Sequence, residues 1–420
     1  MQQKDYDLIV AGGGTAGALC AIAAARSGVK TAVIEPLYCL GGLAANSGLT
    51  EMNAAGFQGQ PLYHGIEREI LDWMEREGHG EYHFAVAMTS NPDIKIDRFR
   101  YDPEMLKLIL EEMAVKAGAQ LFYGCCISSA QETEDGCSVE VLHGGRRFTL
   151  RSKYVVDATG DARVVSAMGG MTRVPAPDKR MAATLMFRIS KVDYPAIQEM
   201  IGRGELRGII KKGRADGILP GNVLAFTPIP GTDDVSLNVT HVKCDQEDIT
   251  SLSRALSEAR AQISPIFEFV RKNVPGLERA YISGIAPVIG VRDARRIEGR
   301  HTLTLAELES MEDFPDSVAC GCYPMDIHDT VTNTVIWKML PGVYHIPYRS
   351  LLPKELHRTI VAGKCLDADD QAFGAVRVQP IVMNMGESAG YAVSLALKND
   401  CALDELTPEQ LRKLLEDKYR

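Results

Sequence analysis

Four glycines and one carboxylate carry the first chemical signal in this chain. Gly12, Gly13, Gly14 and Gly17 follow an apolar run at residues 8–11, and Glu35 ends a second apolar run at 31–34. In a strand-turn-helix unit, Gly12 permits the tight turn and Gly14 lets a pyrophosphate approach the backbone. Gly17 lets the helix pack close against the strands. Thr15 and Ala16 sit inside the turn, just before a small-residue helix at 18–27. The N-terminus of that helix offers unpaired N–H groups and partial positive charge, which suit an anion. Glu35, followed by Pro36, is placed to accept hydrogen bonds from both hydroxyls of a ribose. Strand, glycines, helix, second strand and acid arrive in order, so these residues predict a dinucleotide site. They do not distinguish FAD from NAD.

Elements must hold those residues in place. After Glu35 comes a glycine-rich loop containing Gly41, Gly42, Asn46 and Ser47, which reads as too irregular for helix or strand. Residues 62–77 read as an amphipathic helix stopped by Gly78, and 79–100 show no clean period. Asp102 is a helix N-cap with Pro103 in the first turn, and this helix runs to Ala117 before Gly118. Segments 120–123, 124–130, 138–143 and 147–151 read as a small antiparallel meander. Residues 154–158 read as a buried strand running into Thr159-Gly160-Asp161. From 172 to 335, prolines and glycines punctuate short strands, and a helical segment at 249–273 is interrupted at Pro265. Residues 359–363 are again a strand entering a glycine turn, 379–396 a long small-residue helix, and Thr407 opens a capping box.

Strand-and-glycine punctuation at 8–14, 154–161 and 359–363 predicts a nucleotide domain that is discontinuous in sequence. Its first part is 1–171, with an excursion at 51–100, and its second part is 336–420. Residues 172–335 form an inserted α+β substrate or cap domain. Asp157-Ala158-Thr159-Gly160-Asp161 resembles the "ATG" strand end of flavoproteins with two dinucleotide-binding domains. Val361-Ala362-Gly363-Lys364, Arg377-Val378-Gln379-Pro380 and Gly386-Glu387-Ser388-Ala389-Gly390 resemble their C-terminal FAD segment. With Val291-Arg292-Asp293-Ala294-Arg295-Arg296-Ile297-Glu298-Gly299 and Tyr323-Pro324-Met325-Asp326-Ile327-His328, the order of segments resembles the bacterial FAD-dependent oxidoreductase family. That family is itself distantly similar to fumarate reductase and succinate dehydrogenase flavoproteins.

The resemblance spans essentially the whole chain and implies an α/β fold whose Rossmann-like FAD-binding domain has a parallel sheet and a β-meander. It implies FAD as cofactor, with contacts from Ala158, Thr159, Gly160, Asp161, Gly363, Arg377, Val378 and Gln379. It further implies that Gly41, Gly42, Asn46 and Ser47 line the flavin edge. Pro380 suits a first helical turn, so the N–H groups of residues 378–382 would face the charge of reduced flavin. The chain departs from the family at Cys365-Leu366-Asp367-Ala368-Asp369-Asp370, where three acids stand in place of a small or hydroxyl residue. Asp367 is read there as a contact to ribityl hydroxyls. Covalently flavinylated relatives carry a histidine in the flavin loop, and residues 36–56 contain none, so non-covalent FAD is expected.

Flavin carries the hydride chemistry, while the protein must orient a substrate at N5 and manage a proton. Arg292 and His328 are the candidates, Arg292 to grip a carboxylate-bearing small organic substrate and His328 to move a proton. Structural roles compete for both. Arg295, Arg296, Arg349 and Arg377 also lie beside the motifs. Cys125-Cys126 and Cys320-Gly321-Cys322 match neither disulfide-reductase nor zinc spacings and are read as core packing, with no metal. No iron–sulfur or haem spacing and no second G-x-G-x-x-G appear, so a separate electron donor or acceptor is expected. The net charge of −9 disfavours a nucleic-acid surface and weighs against a tRNA-modifying flavoprotein, which the first glycine motif also resembles. A non-catalytic flavin-binding protein is the remaining alternative. No apolar run approaches the ~18 residues of a membrane span, and no secretory signal opens the chain, which points to a cytoplasmic protein with reduced thiols.

Overall fold

The computed structural model describes residues 4–88, 91, 93–176, 179–293 and 295–418. Its central element is a five-stranded parallel sheet in the order Thr359–Val361, Tyr154–Asp157, Leu8–Ala11, Thr31–Glu35, Gln120–Tyr123. Leu8–Ala11 and Thr31–Glu35 are buried at every position, as befits apolar, largely β-branched runs covered on both faces. The strand from residue 359 enters the sheet beside Tyr154–Asp157, so the nucleotide-type sheet is discontinuous in sequence.

Gln120–Tyr123 belongs to this sheet rather than to the meander. Helix Pro103–Ala117 precedes it, and a parallel strand needs such a crossover. Asp102 caps that helix through its side chain, which accepts from Glu104 N. The meander itself is Cys126–Thr133, Gly136–His143 and Arg146–Ser152, extended at one edge by Lys4–Asp5 in parallel. The loop after Glu35 contains a short helix, Gly42–Asn46, entered through Gly41 at φ 100°. Asn46 and Ser47 donate back to the Gly42 and Leu43 carbonyls, which holds the turn closed.

Residues 79–100, which lack a period in sequence, contain two strands. Gly80–Ala87 and Lys95–Tyr101 join Glu51–Phe57 and Gln60–Pro61 in a four-stranded antiparallel sheet. A register shift between His83 and Val86 breaks the alternation of Gly80–Ala87, and Lys95–Tyr101 is buried on both faces from residue 96 onward and so has no alternation to show.

Residues 183–291 build a core of their own. An antiparallel sheet in the order Ala225–Pro228, Val235–Asn238, Phe187–Ser190, Tyr281–Ile285 packs with helices Tyr194–Gly202, Leu206–Ala215 and Ile249–Asn273. The last helix runs unbroken through Pro265. Proline removes one helix hydrogen bond, but Ala255, Ala259, Ile263, Ile266, Phe267 and Val270 are buried on both sides of it and hold the helix in one piece. Residues 303–356 return to the main core. Gln379–Asn399 crosses Thr15–Arg26 there. Thr407 and Gln410 form the reciprocal cap that opens the final helix. Among the described residues no helix is long and apolar enough to cross a membrane.

Candidate functional site

Helix Thr15–Arg26 begins at Gly14 with no side-chain cap. A Cβ built on Gly14 meets nothing within 4 Å, whereas one on Gly12 lies 2.5 Å from the Ala158 carbonyl oxygen and one on Gly17 lies 1.9 Å from that of Gly12. The turn is therefore packed everywhere except where a phosphate would approach. Gly41 N donates to Gly13 O at 2.8 Å, and a Cβ on Gly42 would lie 2.8 Å from Gly14 Cα, so the flavin-loop residues stack directly on the glycine turn. Glu35 is buried, its carboxylate accepting from Gly13 N at 2.6 Å and Leu37 N at 2.8 Å. Burial pushes its pKa up, and these two N–H groups work against that shift. Pro36 is exposed.

Asp157 explains the conformation of the second strip. Its fully buried carboxylate accepts from Thr159 N and Oγ1 on one oxygen and from Val164 N and Val165 N on the other. Ala158, Thr159 and Gly160 are thereby held at the sheet's C-terminal edge beside Gly12. Asp161 Oδ2 pairs with Arg163 at 2.6 Å and accepts from Gln246, while its buried Oδ1 has no partner. The third strip turns at Gly363, φ 100°, against Ala16, and the Lys364 side chain that follows lies against Gly160. Burial pulls the Lys364 amine below its ordinary value, opposed by Asp161 and Asp293. Arg377, Val378 and Gln379 are half-buried at the uncapped start of helix Gln379–Asn399, with Gln379 Nε2 donating to the Tyr101 hydroxyl at 3.3 Å.

The three acids after Gly363 are all engaged by protein. Asp367, 1% exposed, takes Gly299 N and Thr302 Oγ1 on one oxygen and lies 2.8 Å from Arg173 on the other. Asp369 caps helix Asp370–Val376 by accepting from Gln371 N and Ala372 N, and Asp370 pairs with Arg296. Their charge is balanced locally.

Two uncapped helix N-termini, the open space over Gly14 and the orphaned Asp161 Oδ1 fit a dinucleotide. The absence of histidine from residues 36–56 leads to one expected result: acid precipitation of the purified protein will release all of its yellow colour into the supernatant. Flavin retained in the washed pellet would contradict non-covalent binding.

The candidate catalytic residues meet at the edge of the third strip. Strand Met325–Asp329 puts Asp326 and His328 two apart, on one face. Asp326 Oδ1 lies 3.2 Å from His328 Nε2 and 3.2 Å from Arg377 Nη2, and Oδ2 accepts from the Tyr323 hydroxyl at 2.7 Å. Burial opposes the Asp326 charge, but His328 and Arg377 outweigh it and hold the carboxyl below its ordinary range. Arg292 donates to Ala182 O at 2.6 Å and Thr184 Oγ1 at 3.0 Å. Burial, with Arg377 nearby, pulls its guanidinium down to about 10. Burial and the Arg292 charge likewise lower both His328 and His241 to about 4. Both imidazoles are therefore neutral near neutral pH, and Asp326 is the anion among three cations or potential cations. The residue numbers alone pointed to Arg292 and His328 but missed Asp326, Tyr323, His241 and Lys364. The Y-x-x-D-x-H spacing, with Tyr323 just before the strand and Asp326 and His328 on it, was the available signal. Ala294, within the Arg292 motif, lies outside the described residues.

A pH dependence follows. Unfolded chains take up protons at these two histidines below their ordinary 6.5, while the fold resists until about 4. Stability present above pH 6.5 is thus lost as pH falls toward 4. Between pH ~7 and pH ~5 each histidine should cost roughly 2 kcal/mol. Urea unfolding at both pH values checks this, with His241→Gln expected to remove about half of the histidine-dependent loss.

None of the ten cysteines is in a disulfide. Cys125 is buried as a packing residue would be, Cys126 is exposed, and Cys320 and Cys322 pack partly buried against the main core.

Among solved structures, the chain is similar to p-nitrophenol 4-monooxygenase PnpA from Pseudomonas putida DLL-E4, with TM-score 0.52 and 12% identity over 100% of this chain and 87% of that one. It is similar at TM-score 0.50 and 16% identity to the Diels-Alderase PyrE3 of pyrroindomycin biosynthesis, over 98% of this chain and 69% of that one. One fold thus serves different reactions, and these likenesses establish architecture alone. In sequence, the chain is 26% identical to the probable electron transfer flavoprotein-quinone oxidoreductase YgcN of Escherichia coli (strain K12), over 66% of this chain and 63% of that protein. It is 22% identical to the digeranylgeranylglycerophospholipid reductase of Methanococcus vannielii, over 40% of this chain and 42% of that protein. The matches therefore span less than two thirds of these relatives' lengths. The pattern of the FAD dependent oxidoreductase family matches residues 7–415, nearly the entire chain, and the chain belongs to that family of FAD-binding oxidoreductases.

Proposed function

We propose that this protein exchanges a hydride between the N5 position of non-covalently held FAD and a small organic substrate. Bound FAD supplies the hydride chemistry, as flavins do. The chain's own residues supply the rest. The glycine turn and Glu35 hold the nucleotide end, the 157–161 strip and Gly363 close around it, and Val378–Gln379 present a helix N-terminus to the isoalloxazine. One observation carries the catalytic part: Arg377, from the cofactor strip, lies 3.2 Å from the Asp326 carboxylate that also contacts His328. Cofactor and proton-handling residues are thus joined by one buried carboxylate. A neutral His328 is competent to accept a proton as a substrate is oxidised, and Arg292 and Arg377 favour negative charge developing there. A distant kinship with fumarate reductase flavoproteins is compatible with this combination of arginine and histidine.

The E. coli relative carries an electron transfer flavoprotein and a quinone in its name. By analogy, the second half-reaction here uses a separate electron partner. His328→Gln is the direct test of the proton-handling role: flavin content should stay near that of the parent while substrate-dependent reduction slows on the order of 100-fold. An unchanged rate would remove His328 from the reaction.

A further inference from the structure

The excursion sheet carries a set of charges that the preceding site does not use. Register pairs Glu51 with Arg100 and Asn53 with Arg98, then Arg100 with Glu81 and Arg98 with His83. These six side chains share one face, opposite the core residues Met52 and Phe99. Arg98 and Arg100 are each only 8% exposed. Arg98 Nη1 donates to Glu51 Oε1 at 2.8 Å, Nη2 reaches the Met88 sulfur, and its buried Nε has no partner. Arg100 is held more loosely. Its Nη1 lies 3.3 Å from His83 Nε2, and its Nε, 3.7 Å from Glu51, makes no hydrogen bond. The buried Asn53 Oδ1 beside them is also unpartnered.

Two buried guanidiniums thus face one largely buried carboxylate, Glu51, while the second, Glu81, is half-exposed, 3.9 Å from Arg100 Nη1 and 2.7 Å from His83 Nε2; both buried Nε donors are unused. Such an arrangement is costly unless another anion completes it. Tyr194, from the unit built of residues 183–291, covers the face, its ring centroid 5.9 Å from the Arg100 guanidinium. The Arg98 charge also reaches Tyr323, whose hydroxyl donates to Asp326. The face is thus covered by that unit and lies within electrostatic reach of the Tyr323–Asp326–His328 cluster.

We infer that Arg98 and Arg100 form a subsite for the carboxylate of the substrate, and this rests on the flavin site proposed above. With Glu81 half-exposed to solvent and paired to His83, a monocarboxylate brings the one negative charge that the buried Arg98, Arg100 and Glu51 leave unbalanced, and its two coplanar oxygens match the guanidinium donors. A phosphate dianion would leave excess negative charge buried among these groups. Neither arginine belongs to a recognisable cofactor motif, and both reach the face through the regular pairing of residues 51–53 with 98–100, which ends at the bulge after Asn53.

The test is titration of the FAD-loaded protein with butyrate and benzoate, with their amides, and with inorganic phosphate. Binding is read by calorimetry and by perturbation of the flavin spectrum. The acids should bind at least about tenfold more tightly than the amides, and Arg98→Gln and Arg100→Gln should each lose at least about tenfold with flavin content unchanged. Arg100→Lys, which keeps the charge, should lose less and guards against a folding artefact. Glu51→Gln should shift preference toward phosphate. Acid and amide binding alike, arginine variants binding like the parent, or no acid binding at all would overturn the inference. A protein purified without flavin would instead sink the flavin reading, and calorimetry on that protein would still decide the carboxylate subsite.

Discussion

Replacing Gly386 by valine is expected to yield a chain that neither reaches a stable native fold nor retains FAD. A Cβ at 386 would lie 2.0 Å from the Ala16 carbonyl oxygen and 2.6 Å from its carbon. Both atoms are backbone of helix Thr15–Arg26, whose first turn is the glycine motif. Neither helix has room to withdraw: residues 15–24 of one and 380–390 of the other are buried. Gly390 repeats the contact one turn later, where a Cβ would lie 2.3 Å from Cys20 O. Ordinary overpacking costs about 1–3 kcal/mol, and a clash with fixed backbone should exceed about 4 kcal/mol. Denaturant unfolding and flavin content measure the outcome. Gly208→Ala serves as the control. It lies in helix Leu206–Ala215 with no atom within 4 Å of its Cβ, so FAD should be retained and stability should rise by up to about 1 kcal/mol. A Gly386→Val protein with parental flavin content would show that this helix crossing does not unite the cofactor strips.

Asp326→Asn is expected to leave the fold and the flavin in place while slowing substrate-dependent flavin reduction on the order of 100-fold. Asparagine preserves the shape but removes the one anion between Arg377, Arg292 and His328. Asp326 raises the basicity of His328 against burial and the Arg292 charge, so its loss leaves a still weaker base. Asp326 acts through His328 and is a positioning residue. Its signature is a loss in the reduction rate at saturating substrate, with the substrate concentration at half-saturation little changed, and a pH–rate profile whose acidic limb moves lower. A rate equal to the parent's, or a loss confined to substrate affinity, would assign Asp326 to structure alone.

Features encoded by contiguous residues were legible in the sequence. The glycine turn, Glu35, the Asp102 cap and the Thr407 cap each need only neighbours a few positions away. The discontinuous parallel sheet was readable because strand-and-glycine punctuation recurs at 154–161 and 359–363. Other features depend on tertiary partners. Gln120–Tyr123 is a parallel strand because of what it pairs with, and Pro265 is tolerated because the helix around it is packed. The two-faced burial that hides strand Lys95–Tyr101 also hid Arg98 and Arg100. Within the site, Arg292 and His328 stood beside recognisable motifs, whereas the role of Asp326 emerges only from its contacts with Arg377 and Tyr323. The acids at 367, 369 and 370 stood out in sequence as a departure from the family pattern, and their partners Arg173, Arg296 and the helix start at Gln371 come from elsewhere in the fold or from local capping.

Hydride exchange between flavin and a small organic substrate is the central functional claim. Anaerobic stopped-flow mixing of the oxidised, FAD-loaded protein with a panel of carboxylates, alcohols, amines and NAD(P)H tests it most directly. At least one small organic compound should bleach the oxidised-flavin band in a single exponential that slows in Asp326→Asn and His328→Gln. Bleaching by none of the small organic compounds, or bleaching at the same rate in both variants, would contradict it.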